Sequence, residues 1–377
     1  MKREKLLCDL DYLKLIDTQN MLDIVKMLPE QMEHSANLSQ SLDMSGIDAN
    51  SLTGIIISGM GGSAIGGDII RNLAFETCPC PIFNFRDYKL PKFSNKNTLV
   101  ISTSYSGNTE ETISTFKDSL SRGCKNLAIT SGGKLEELCK ENNVPYVKLP
   151  SGIPPRTAIG YLLTPMIVIF NRLGFLSEND NIEKTVQHLR DFRPNLLPET
   201  DTKTNPAKQI AVKIHTSIPA IYSTAKYSSI ARRWRNQLNE NAKMLAISGV
   251  FPEMNHNDIV AWEKDRRVHL FSAIIFREEG EPAEIRERIE LTKELVMGNA
   301  KKMIEVWAEG NSMLERMMHA FYLGDFVSIY AAILNGYDPT PVPAIERLKK
   351  ELQERRAKKD ELKTNGVTNE ESKIKEK

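Results

Sequence analysis

The sequence predicts an α/β fold of two three-layer α/β/α domains, each built around a parallel sheet and packed as a pseudo-symmetric pair. Three observations carry this. From residue 54 to 149, short apolar β-rich runs alternate with stretches of helical periodicity. The same layout resumes after residue 206 without repeating residue identities. Two strand-to-helix turns, Gly59-Met60-Gly61-Gly62-Ser63 and Ser104-Tyr105-Ser106-Gly107-Asn108-Thr109, each follow a strand run and open into an amphipathic stretch.

Taken in order, residues 5–35 have amphipathic helical spacing, and a polar linker follows to about residue 50. Candidate strands are Gly54–Ser58, Pro81–Phe85, Thr98–Thr103, Asn126–Thr130 and Tyr146–Leu149, with helices expected over Ala64–Phe75, Glu110–Arg122 and Lys134–Asn142. Near-continuous apolar strands joined by helices imply a parallel sheet covered on both faces. Ile153-Pro154-Pro155-Arg156 leads into a long apolar helix, Thr157–Leu173, and Ser177–Pro206 has the composition of a linker with one helix. The second half predicts strand Ile218–Ser223, helix Ser228–Leu245, strands Val268–Phe276 and Met303–Glu309, and helix Ser312–Leu334. The organisation expected is a helical segment at 1–50, a first domain at 51–150, connecting helices and linker at 151–205, a second domain at 206–335, a C-terminal helix at 336–351 and a tail at 352–377. That tail is rich in Lys, Glu, Asn and Arg with almost no large apolar residue, a composition that favours disorder.

At 377 residues the chain is long enough for two domains with a sizeable core. Fifty basic residues against 49 acidic ones leave a net charge of +1, which gives no electrostatic reason to expect nucleic acid or an anionic membrane as partner. No apolar run is expected to span a bilayer, and the charged opening MKREKLLCDLDYLKLID is unlike a signal peptide. A cytoplasmic location is the expectation. Five cysteines at scattered spacings fit a reducing compartment. Only Cys78 and Cys80 are close, and no further Cys or His completes a zinc set, so no metal site is expected.

The glycine turn admits two readings. Glycines allow close backbone approach, and free amides and hydroxyls at a helix start suit a phosphate. Gly59-x-Gly61-x-x-Ala64 also satisfies the loose dinucleotide pattern, with Asp87 as a late candidate for the ribose contact. A P-loop is excluded because no Gly-Lys-Ser/Thr follows. The second turn tips the balance. Capping accounts for one of the hydroxyls of Ser104, Ser106 and Thr109 but poorly for three, whereas a monophosphate needs several converging donors. Two turns about 45 residues apart at strand ends therefore read as a cradle for one phosphorylated small molecule.

Beyond these turns, GMGGSAIGGD, STSYSGNTEET and IPPRTAIGYLL resemble the sugar isomerase (SIS) fold, specifically the two-domain bifunctional phosphoglucose/phosphomannose isomerases. Gln237–Lys243, Pro252–Asp258 and Pro343–Lys349 fit the same family in the same order across about residues 50–350. The resemblance implies that Ser104, Ser106 and Thr109 contact the phosphate, with Gly61, Gly62 and Ser63 on the adjoining face. It implies a catalytic set of Arg156, Glu240, His256 and Lys349, the lysine being hard to tell from adjacent Lys350, and Thr340 as the contact that admits the mannose epimer. It further implies a homodimer in which His256 reaches the neighbouring subunit's site, phosphorylated hexoses as substrates, and no cofactor.

The chemistry suits these residue types. Moving a proton between C1 and C2 of a sugar phosphate wants a carboxylate base such as Glu240, a fixed cation such as Arg156 for the enediolate, and an imidazole that titrates near neutrality for ring opening. Singly, each residue has a plainer reading. Glu240 near Arg232, Arg233 and Arg235 reads as a surface ion-pair member, His256 as a turn residue, Arg156 as a helix-start charge and Lys349 as a helix-face lysine. Their joint occurrence beside two phosphate turns favours the isomerase. The alternatives are an SIS isomerase of another phosphosugar, a non-enzymatic sugar-phosphate sensor, and a dinucleotide-dependent oxidoreductase. Residues 1–50 are too short and too acidic for a sensor's DNA-binding domain, and an oxidoreductase leaves the second turn without purpose.

Overall fold

Gly54-Ile55-Ile56-Ile57-Ser58 is buried along its whole length and forms β1 of a five-stranded parallel sheet. The computed structural model describes residues 3–177, 180–352, 354 and 355, and the chain divides into two compact units, Met1–Pro339 and Thr340–Lys377. In the first sheet β1 lies between β2 (Ile82–Phe85) and β3 (Thr98–Ser104), followed by β4 (Lys125–Thr130) and β5 (Tyr146–Lys148), in the order β2-β1-β3-β4-β5. The register sets Ser58 beside both Phe85 and Ser102. The second sheet repeats the plan. β6 (Ile218–Thr224) lies between β7 (Ile247–Phe251) and β8 (Phe271–Glu278), with β9 (Lys302–Ala308) outermost, and all pairs are parallel. In each sheet the chain leaves its first strand for one side and returns to the other, so a crevice opens beyond the carboxyl ends of β1 and β3, and of β6 and β8.

Side-chain alternation explains why both sheets are buried on two faces. Ile55 and Ile57 of β1 enter the main core, while Ile56 packs on the opposite face with Val100 and Leu90. Ile221 and Ile274 join the main core, while Ala220, Tyr222, Ala273 and Ile275 face a separate cluster around Trp262 and Ile289. One apolar core therefore runs between the two sheets. At its centre lies helix Met313–Leu334, packed against helices Ile182–Phe192, Pro206–Ile214 and Ser228–Glu240. This is the one helix among the described residues long and apolar enough to cross a membrane, and its apolar stretch is wholly buried within the protein.

The structure corrects several boundaries. The amphipathic run at 5–35 is four helices, Arg3–Leu6, Leu10–Ile16, Met21–Val25 and Leu28–Ser39. Asp9 caps the second through the Asp11 and Tyr12 amides, Asn20 turns left-handed at φ 54°, and Pro29 opens the last. The helix expected over Ser228–Leu245 stops at Glu240, with Lys243 left-handed at φ 55°, and the chain then forms β7, an edge strand the apolar spacing conceals. Helix Ala283–Leu295 was likewise unmarked, because only Ile289 and Thr292 of its residues are buried. In the second unit residues 343–352 are helical, while 353 and 356–377 of the charged tail lie outside the described residues.

Candidate active site

The two turns meet at the carboxyl ends of β1 and β3. Gly61, at φ 52°, starts helix Gly61–Leu73, and Gly107, at φ 70°, lies just before helix Glu110–Ser121. Only glycine fits at 107, because a Cβ there would fall on the Gly132 carbonyl. Ser63 Oγ accepts a hydrogen bond from the Tyr105 amide at 3.2 Å and so ties one turn to the other. Ser104 Oγ lies 2.9 Å from Thr109 Oγ1 and accepts from the Gly107 amide at 3.1 Å, and Ser106 Oγ accepts from the Asn108 amide at 3.3 Å. Thr109 occupies the cap position of its helix, yet its side chain makes no cap bond. Gly61, Ser106 and Asn108 are exposed, Gly62 and Thr109 half-buried, and Ser63 and Ser104 buried, which makes a polar hollow floored by hydroxyls with two helix N-termini at its rim.

Gly62 also admits the next element. A Cβ on it would lie 2.9 Å from the Pro155 carbonyl oxygen and 3.2 Å from Arg156 Cα, so the turn Pro155–Thr157 sits directly against the helix start. Arg156 is buried, with 7% of its surface exposed. Its Nε donates to Asn241 Oδ1 at 2.8 Å and its Nη2 to the Pro339 carbonyl at 2.9 Å. Burial pulls the Arg156 pKa below its ordinary value, and the Glu240 carboxylate opposes that shift.

Glu240 arrives by helix pairing. Asn72 binds the Ala225 carbonyl and the Ser229 amide, and Asp68 binds Arg232, so helices Gly61–Leu73 and Ser228–Glu240 run antiparallel. Glu240 is the last residue of the second helix, about two turns beyond Arg232. Asp68 is the clamp between the helices: buried, it accepts from Arg86, Arg232 and Asn84. Just past Glu240, Lys243 Nζ donates to the carbonyls of Glu240 (2.9 Å), Asp338 (3.0 Å) and Pro339 (3.2 Å). Partial burial, aided by nearby Arg156, pulls the Lys243 pKa down to about 8, although the residue as a whole is exposed.

Three expected residues do not join this cluster within the first unit. His256 ends the turn Glu253–His256 after β7, exposed, and among the described residues no hydrogen bond or ion pair links it to Arg156 or Glu240. Thr340 and Lys349 belong to the second unit, where Lys349 lies in the helical residues 343–352 and its neighbour Lys350 stands 4.0 Å from Glu354. Conversely, Asn241, Lys243 and the buried pair Arg233–Asp325 touch Arg156 or Glu240 directly and had no assigned role in the sequence reading. Asp325 did leave a signal, as a carboxylate set within the apolar stretch that follows Arg316 in helix Met313–Leu334. Among the described residues no group of three or more His, Cys, Asp or Glu is arranged to hold a metal ion.

Residues 203–352 match the family described as bacterial phospho-glucose isomerase C-terminal SIS domain. The chain is 38% identical over 337 residues to the bifunctional phosphoglucose/phosphomannose isomerase of Caldicellulosiruptor bescii, covering 89% of this chain and 99% of that protein. It is 37% identical over 307 residues to the enzyme of the same name from Aquifex aeolicus, covering 81% and 92%. In fold it is similar to the C-terminal domain of glucosamine-fructose-6-phosphate aminotransferase from Francisella tularensis, with a TM-score of 0.65 at 16% identity over 85% of this chain and 97% of that one. Identity sustained across both sheets and the turns between them shows that the chain belongs to the bifunctional phosphoglucose/phosphomannose isomerase family.

Proposed function

We propose that this protein interconverts glucose 6-phosphate and mannose 6-phosphate with fructose 6-phosphate through a cis-enediol, with Glu240 as the base. The observation that carries the reading is a buried guanidinium, Arg156, packed against the Gly62 turn of a two-turn anion cradle and hydrogen-bonded to Asn241, the residue after Glu240. Ser104, Ser106 and Thr109 hold the phosphate, with Gly61, Gly62 and Ser63 on the adjoining face. Anchoring that dianion against two helix starts leaves the C1–C2 end of the sugar to reach Glu240.

Aldose and ketose are isomers, so electrons balance within the substrate. Glu240 takes the proton from C2 of the aldose and returns it to C1, while the hydroxyl proton on O2 passes to O1. The enediolate formed between these steps carries negative charge, which Arg156, held in place before the substrate arrives, stabilises. Ring opening needs a proton on the ring oxygen, and His256 of a second copy supplies it in a homodimer. Lys349 as a further catalytic group and Thr340 as the contact for the mannose epimer rest on the family resemblance alone. We place the activity in the cytoplasm, in line with the scattered cysteines.

Incubation with fructose 6-phosphate, without metal or nucleotide, tests the proposal. Both aldose 6-phosphates are expected as products. Conversion to neither, with fructose 6-phosphate binding intact, overturns it in favour of a sensor or another phosphosugar. Glu240→Gln is expected to lower kcat by about 10²–10⁴-fold with sugar-phosphate binding retained, and near-normal turnover in that variant removes Glu240 as base.

A further inference from the structure

Arg156 is gripped from three sides. Gly62 presses on its backbone at the helix start. Arg233 Nη2 donates to the Arg156 carbonyl at 2.7 Å. Arg233 is itself fixed, 2% exposed, by two hydrogen bonds to Asp325 at 3.0 and 2.8 Å and by lying over the Phe321 ring at 4.5 Å. On the side-chain flank, Asn241 Oδ1 accepts from Arg156 Nε at 2.8 Å, and the Asn241 amide donates to Ser328 Oγ at 2.9 Å. Ser328 Oγ donates in turn to the Asp325 carbonyl at 2.7 Å. Asn241 and Ser328 are fully buried. The chain Arg156–Asn241–Ser328 and the chain Arg156–Arg233–Asp325 thus end on the same turn of helix Met313–Leu334, at the centre of the core.

We propose that Asn241 is a positioning residue for the isomerisation. Anchored through Ser328 to the central helix, it fixes the plane of the Arg156 guanidinium so that its charge meets the enediolate rather than the ground-state sugar. The inference rests on the role given to Arg156 above. A guanidinium is a planar fork, and its value to a developing anion depends on orientation set before the charge appears. A neutral amide suits this purpose. Asn241 takes one donor of the fork without cancelling the charge, whereas a carboxylate at that place would neutralise it. Because Asn241 directly follows Glu240 at the end of the same helix, one backbone segment sets base and cation together.

The test compares two ligands. A five-carbon aldonate phosphate carries a carboxylate where the enediolate charge develops, and a six-carbon alditol phosphate is neutral there. Their affinities, with kcat and KM, are measured for the wild-type protein and for Arg156→Ala, Asn241→Ala and Ser328→Ala. Arg156→Ala is expected to abolish the preference for the aldonate. Asn241→Ala is expected to reduce that preference about tenfold and to lower kcat with KM nearly unchanged, since misplacing a catalytic group acts on the transition state. Ser328→Ala, which removes the anchor and touches neither Arg156 nor Glu240, is expected to act in the same direction more weakly, and it serves as the test should Asn241→Ala fail to fold. Equal weakening of both ligands, or an unchanged preference in the Asn241 and Ser328 variants while Arg156→Ala abolishes it, overturns the positioning role. A preference that survives Arg156→Ala overturns the assigned role of Arg156 and this inference with it, a pattern distinct from the others.

Discussion

Lys243 shows how much a single side chain can be asked to hold. Its ammonium satisfies the last carbonyl of the helix that ends at Glu240 and, on the far side, the carbonyls of Asp338 and Pro339. Charge-assisted bonds of this kind weaken when the donor loses its proton. With its pKa lowered to about 8, the folded protein carries the charge below that pH and loses it above, well before an ordinary lysine would. The expected outcome is an alkaline limb in kcat/KM with its midpoint near pH 8. In Lys243→Arg, where the cation stays protonated, that limb moves upward. A profile unchanged by the substitution removes Lys243 as its source. The residue scale is also where sequence reading was weakest. Gln237–Lys243 was singled out as a motif, yet only Glu240 received a role, because no spacing rule shows that Asn241 faces an arginine 85 residues earlier.

At the scale of elements, the site depends on two helices held antiparallel. In the proposed site, helix Gly61–Leu73 would present its N-terminus to the phosphate and helix Ser228–Glu240 its last residue to the sugar. Each was expected from periodicity, but their pairing was not, since it depends on Asp68, a carboxylate with 1% of its surface exposed, meeting arginines from β2's end and from the opposite helix. Removing one partner of a buried ion pair typically costs about 3–5 kcal/mol, because the remaining charge is left uncompensated. Arg86 and Arg232 are each partly exposed and can turn to water, so Asp68→Ala is expected at the lower end, about 3 kcal/mol, in urea unfolding. A loss within 0.5 kcal/mol of wild type would mean the helices pair without the clamp. Edge strand β7 was hidden for a related reason. Its residues are half-exposed apart from Phe251, so neither alternation nor a buried run marks it, and only its ladder with β6 makes it a strand.

For the whole molecule, the central question is what completes the site. Within the first unit Arg156 is bonded to Asn241, the residue after Glu240, while His256 stands exposed at the end of the second sheet, beyond β7. If a second copy supplies the histidine, mixing Glu240→Gln and His256→Ala subunits restores one intact site in each mixed dimer. Activity approaching half that of wild type per mixed dimer is the expected outcome, read in purified heterodimers carrying two different tags. Absence of recovery in verified heterodimers would assign His256 to its own subunit or to no catalytic role.

By itself the sequence determined the parallel α/β class, the two strand-to-helix turns and their glycines, since these follow from local rules. Apolar runs bury as parallel strands, a positive φ favours glycine, as at Gly61, and a close backbone approach demands it, as at Gly62 and Gly107. The family pattern carried the names of the catalytic candidates, which local rules alone left as ordinary surface charges. Only the tertiary structure decided that Asp68 joins two helices and that Arg156 is held through Asn241 and Arg233. Those facts depend on groups far apart in sequence desolvating one another. A buried charge is tolerated only where its partner also arrives, and no window along the chain contains both.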